Sequence, residues 1–182
     1  MPRARLSVPV VMMLFVFLAA AAKDEKLDNL LVYGDGFAFS VKEPTGWRGD
    51  TEHAAKWGAN ILFYRPPESV DTPAAGIRVR VGKKTDENTA EDLAYDMKGY
   101  QKEYPDVAFR DFDAPHPAYA VYSKLFTVPG KFHEYVAYLN PGEGRPFLFS
   151  VSMNTARPAT DQELEAFRSV LKSLNLLSGK GR

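Results

Sequence analysis

The chain has 182 residues, of which 45% are hydrophobic, with 23 basic side chains balanced by 23 acidic ones and no cysteine. That length supports one hydrophobic core and argues against several domains. The charge balance argues against nucleic acid as a partner, and the missing thiols exclude disulfides, thiol nucleophiles and a lipoprotein-type anchor.

Residues 1–22 read as a secretory signal peptide: Arg3 and Arg5 make a basic start, residues 6–18 an apolar run, and residues 19–22 a small-residue site for signal peptidase. The run is shorter than the ~20 residues of a membrane-spanning helix. Export to the periplasm or beyond is therefore expected, with no stable membrane anchor after cleavage. Removal of the leader takes two arginines and leaves a net charge of −2. Residues 23–36 form an N-terminal segment, polar as far as Asn29 and then fit for a short edge strand or turn. A single domain is expected over residues 37–177, followed by a disordered tail at 178–182.

Phe37, Phe39 and Val41 alternate with Ala38, Ser40 and Lys42, the period of a strand with one face on a core. Pro44, Thr45 and Gly46 then supply turn chemistry and deliver Trp47 just past the strand end. The rest of the chain is expected to complete the sheet that this strand opens. Residues 48–58 read as a hydrophilic loop or short hairpin carrying Trp57, residues 60–64 as an apolar strand, and residues 65–76, with three prolines, as a surface loop. Both loops are long enough to rim a cleft. In residues 77–81, Ile77, Val79 and Val81 face inward and Arg78 and Arg80 outward.

A helix is expected from Thr89, where Thr89 and Asp92 resemble a capping box, with Leu93, Met97, Tyr100 and Tyr104 on one stripe and Pro105 as its stop. Strands follow at residues 107–112, 118–128, 133–139 and 147–153, with turns at 129–130 and 140–142 that imply antiparallel pairing. The closing helix begins at Thr160, whose capping box is completed by Glu163, and buries Leu164, Phe167, Leu171 and Leu174. Two helices with one apolar stripe each need a sheet to lie on, which makes the fold class α+β, an antiparallel β-sheet flanked by helices.

The aromatic strand running into Pro44 and Trp47, the helix ending at Tyr104 and Pro105, and the strand Phe147–Met153 feeding a helix that ends at Leu171 and Leu174 resemble the PsbP/Mog superfamily over residues 30–177. The resemblance implies an α/β/α sandwich of the PsbP/Mog-like kind, here in an exported bacterial version, used mostly for binding. Relatives of that kind include an extrinsic photosystem subunit, a nuclear Ran-binding factor and effector chaperones, so the shared fold does not choose among roles.

The residues themselves offer little chemistry. The histidines are His53, His116 and His133, no Gly-x-Ser-x-Gly occurs, and residues 142–144 lack the lysine of a phosphate loop. The sharpest metal candidate combines Asp111, Asp113 and His116, two hard carboxylates and an imidazole in a short span. Tyr119, Tyr122, Tyr135 and Tyr138 on adjacent strands suit either an exposed aromatic face or rings filling the sheet. Trp47, Trp57, Tyr119 and Tyr135 are the candidate interaction surface, and Arg78 and Arg80 could meet an anionic partner. The expectation is a non-enzymatic exported binding or assembly module with a protein partner and no cofactor. The alternative is a metal- or ligand-dependent enzyme built on Asp111, Asp113 and His116.

Overall fold

The computed structural model describes residues 29–84, 89–142 and 144–177. The expected signal peptide, the first part of the N-terminal segment and the tail at 178–182 lie outside these residues.

Strand β1, Asn29–Gly34, pairs antiparallel with β2, Phe37–Lys42, from Asn29 opposite Lys42 to Gly34 opposite Phe37. Asp35 and Gly36 make the two-residue turn, and Gly36 takes φ 76°, a left-handed angle that glycine adopts without a Cβ clash. Alternation along β2 puts Phe39 and Val41 fully inside, as its period requires. Val32 of β1 is also buried, so the folded unit takes in residues ahead of Phe37. One expectation needs correction: β2 does not open the main sheet. It is the centre of a separate three-stranded sheet, ordered β1-β2-β10, whose other edge is filled by the chain's Asn175–Leu176.

The main sheet has seven antiparallel strands: β3 Arg48–Asp50, β4 Ile61–Tyr64, β5 Ala75–Lys83, β6 Ala108–Asp111, β7 Ala120–Val128, β8 Phe132–Asn140 and β9 Phe147–Thr155. Their order is β3-β4-β5-β9-β8-β7-β6. Segment 48–58 is thus only partly a loop, since it holds β3 and a 3₁₀ turn, Ala54–Trp57. Strands β7, β8 and β9 run as a meander through the expected turns, with Gly130 at φ 69°. The central pair joins β5 to β9 over nine residues, from Ala75 opposite Thr155 to Lys83 opposite Phe147. Helix α1, Thr89–Glu103, carries the chain from β5 to β6 at the far edge. Thr89, expected as its cap, is its first helical residue and is buried.

One face of the main sheet presents Ile77, Val79, Tyr135, Ala137, Leu139, Phe149, Val151 and Met153 to the small sheet and to helix α2, Asp161–Ser173. Phe167, Val170 and Leu171 of α2 are fully buried there. The capping box is complete: the Glu163 N–H donates to Thr160 Oγ1 at 3.3 Å, and the Thr160 N–H donates to Glu163 Oε2 at 2.7 Å. Arg157 adds a two-pronged hydrogen bond to the same carboxylate, 2.8 Å at each oxygen. These donors, Arg157 foremost, hold the Glu163 carboxyl down at about 2.

The opposite face is covered by α1. Leu93, Met97 and Tyr100, three and four residues apart, pack on Phe109, Phe126, Val136, Tyr138 and Leu148. Each face thus carries a helix, in the sandwich that the element pattern implies. Helix α1 sits over β7 and β8, however, and leaves the β4–β5 side of its face uncovered.

Candidate binding cleft

The uncovered part of the sheet is a cleft. Its floor is one side of the central strand pair: Gly76, Arg78 and Arg80 of β5 stand opposite Asn154, Ser152 and Ser150 of β9. Helix α1 supplies one wall through Asp96 and Tyr100, and Trp57 supplies the other. Beyond Trp57 the floor continues past Leu62 to Pro73. Two recesses, of about 170 and about 300 Å³, share Trp57 and Arg78 and so form one groove. Segments 48–58 and 65–76 both reach its rim, through Trp57 and Pro73, the position their length suggested.

Local structure explains how Trp57 comes to stand there. Asp50 at the end of β3 accepts the His53 N–H at 2.7 Å and faces its ring at 3.0 Å, which starts the 3₁₀ turn. Ala54 anchors the turn in the core, and Gly58, in the left-handed region, ends it. Trp57 is left with 37% of its surface exposed, over the groove.

Most of the groove's charged and phenolic groups already have partners. Glu134, only 4% exposed, meets Arg78 at 2.6 Å through Oε1 and accepts the Tyr100 hydroxyl at 2.5 Å through Oε2. Asp96 accepts the Tyr138 hydroxyl. Burial, reinforced by Glu134, holds the Tyr100 hydroxyl well above the usual phenol range, and burial with Asp96 does the same at Tyr138. Both phenols are therefore fixed as protonated donors. Arg80 differs: it is exposed, lines the groove, and forms no hydrogen bond or ion pair with any described residue.

The structure scatters the residues singled out from the sequence. Trp47 is 7% exposed and sits in the core, with the Arg65 guanidinium 5.4 Å above its ring. Tyr135 is buried too, its hydroxyl accepting the Ala159 N–H at 3.2 Å. Tyr119 stacks on His116 at 4.3 Å and accepts the Leu176 N–H at 2.8 Å. The four tyrosines make no common face, because Tyr119 and Tyr135 lie on the α2 side while Tyr122 and Tyr138, paired across β7 and β8, lie on the other. Of the four candidate interaction residues, Trp57 alone lines the groove.

Asp111, Asp113 and His116 do not converge either. The Asp111 carboxylate is paired with Lys124 at 2.5 Å, and at Asp113 it is the backbone carbonyl that is engaged, by Arg168 Nε at 3.2 Å. Both nitrogens of His116 are spent on backbone. Nδ1 accepts the Ala118 and Tyr119 N–H groups at 3.0 and 2.9 Å, which places the proton on Nε2, and that proton goes to the Leu174 carbonyl at 2.9 Å. Among the described residues, no three His, Cys, Asp or Glu side chains are grouped as metal ligands. His116 and Tyr119 instead pin the end of α2 and β10 to the main sheet.

Sequence reasoning identified Arg78, Arg80 and Trp57, named Tyr138 in a possible aromatic face and put Tyr100 on a helix stripe, but did not single out Asp96, Glu134, Ser150 or Ser152, which join them. A signal was present on β9. Opposite the apolar Phe149, Val151 and Met153, its other face carries short Ser150, Ser152 and Asn154 rather than long charged side chains, which leaves room above that face.

No family model matches the chain, and no curated protein matches it in sequence. Solved structures do. Cyanobacterial PsbP from Synechocystis superimposes with a TM-score of 0.50 at 17% identity, over 88% of this chain and 99% of its own. LpqN of Mycobacterium tuberculosis, described as involved in cell envelope biogenesis, superimposes with a TM-score of 0.57 at 15% identity, over 82% of this chain and 91% of its own. The chain has the PsbP fold. The PsbP-like resemblance seen in the strand and helix pattern is thereby confirmed at the level of fold. Among the described residues no helix is long and apolar enough to cross a membrane.

Proposed function

We propose that this protein is an exported, non-enzymatic binding module of the cell envelope, which engages a partner protein through the groove between α1 and Trp57. The observation that carries this reading is the state of the groove's polar groups. Glu134 is committed to Arg78 and Tyr100 and Asp96 accepts from Tyr138, so the two carboxylates orient their neighbours, while the two phenols, held protonated, donate. An exposed indole and an arginine unpaired among the described residues stand beside them, the side chains that protein interfaces favour. The signal-peptide reading of residues 1–22 supports export, and the shared fold with a protein involved in cell envelope biogenesis supports the compartment.

Site-specific photocrosslinking in living cells tests this. A photoreactive residue placed at Trp57 should give a discrete, reproducible crosslinked species in the envelope fraction. The same residue placed at Tyr95, an exposed ring outside the groove, should not. Crosslinks equal at the two positions, or none at Trp57, would overturn the reading.

A further inference from the structure

We propose that the groove holds an extended peptide segment of the partner that carries an acidic side chain about four residues from an aromatic or aliphatic one. The inference rests on the groove's being the binding site and adds the chemistry of what enters it.

Direction and length come from the floor. The groove follows β5 from Gly76 to Arg80, in register with Asn154 to Ser150 of β9. Four residues of antiparallel strand span about 14 Å, so an extended chain lying along the floor also covers that length in about four residues. The two ends differ in character. Leu62, Pro73 and the Trp57 ring make an apolar end, whereas Arg80 and Ser150 make a polar one.

Charge then fixes what each end takes. Arg78 is neutralised by Glu134 at 2.6 Å and so serves as part of the floor. Arg80 has no such counter-charge within ion-pair distance among the described residues, and a carboxylate from a partner supplies it. Asp96, on the α1 wall of the same recess, already accepts one hydroxyl and can accept a peptide N–H as well. Ser152 midway along the floor and Asn154 at its Gly76 end can meet peptide backbone groups with either donors or acceptors.

Enclosure argues for a peptide over a small molecule. Small-molecule sites bury roughly 70–90% of their ligand. Here the floor is a sheet face, and the two recesses open side by side along it, so a compact ligand in either one is only partly enclosed. An extended segment spanning both gains contacts along its whole length.

The probe is a positional library of acetylated, amidated hexapeptides, read by fluorescence polarisation against the purified protein. The expected selection is Asp or Glu about four positions from an aromatic or aliphatic residue. Arg80→Gln should weaken the selected peptide roughly tenfold or more, as expected for loss of a charge-assisted contact. Trp57→Ala should weaken it as well, and Tyr95→Ala should leave it unchanged. Arg80→Glu should shift the selected residue from acidic to basic, a gain that misfolding cannot imitate. No selection at all, an acidic preference that survives Arg80→Glu, or self-association by sedimentation that Arg80→Gln abolishes would each overturn the inference, the last by making a second copy the occupant. Crosslinks from Trp57 without acidic selectivity would sink this inference and leave the binding groove standing. Absence of those crosslinks would remove the groove itself.

Discussion

His116 shows how the same residue reads as chemistry in a sequence and as architecture in a fold. In the chain it follows two aspartates closely, which is the spacing of a hard-metal loop. In the structure its Nδ1 faces two backbone N–H groups and its Nε2 proton goes to Leu174. Burial lowers its affinity for a proton below the ordinary imidazole value, a shift only partly offset by the Leu174 carbonyl. A second proton would have to sit on Nδ1 against two donors. Because the folded state holds the proton less tightly than the unfolded one, the stability that neutral His116 contributes is complete above about pH 6.5 and is lost as pH falls below that value. Urea unfolding midpoints should therefore drop between about pH 7.5 and about pH 5.5 in the wild type. The drop should be smaller in His116→Gln, and an equal drop in both would show that the histidine is not the group responsible.

At the scale of the element, helix α2 shows its capping and most of its apolar stripe agreeing with the tertiary result, with Leu164 of that stripe only half-buried. Thr160 and Glu163 cap it as the sequence requires, Arg157 closes on the same carboxylate, and the stripe through Phe167 and Leu171 is fully buried. Phe167 touches rings from two directions, Phe112 at 5.8 Å and Tyr135 at 6.5 Å between centroids, so it ties the helix to the sheet and to the loop before β7. Phe167→Ala is expected to cost about 3–5 kcal/mol, the range for emptying a packed aromatic site. Chemical denaturation would show it as a lower midpoint with an unchanged slope. A loss below about 1 kcal/mol would mean that the neighbours collapse into the space. Helix α1 agrees with its sequence pattern less completely. Its stripe holds at Leu93, Met97 and Tyr100, while Tyr104 falls just past the helix end, and the length of sheet left uncovered beside it is set by where the chain crosses to β6, which no residue of α1 encodes.

The molecule as a whole is organised around β5 and β9, each flanked by strands on both sides, while β3 and β6 are short edge strands. Amide exchange should follow this order. The slowest amides are expected on β5, β9 and β8, which open only with global unfolding, and the fastest on β3 and β6. Protection at β3 equal to that at β9 would contradict the topology. Legible along the chain were the class of fold, the position of nearly every strand and helix, the antiparallel meander and most of the apolar stripe of each helix. These rest on periodicity, capping and turn chemistry, which act within a few residues. It took long-range packing to put β2 in a second sheet closed by Asn175–Leu176, Tyr135 and Tyr138 on opposite faces of the main sheet, and Arg80, Ser150 and Trp57 in one groove. Those facts depend on pairing between segments tens of residues apart. Such pairing is chosen by how the whole apolar surface is best buried, and no local pattern records it.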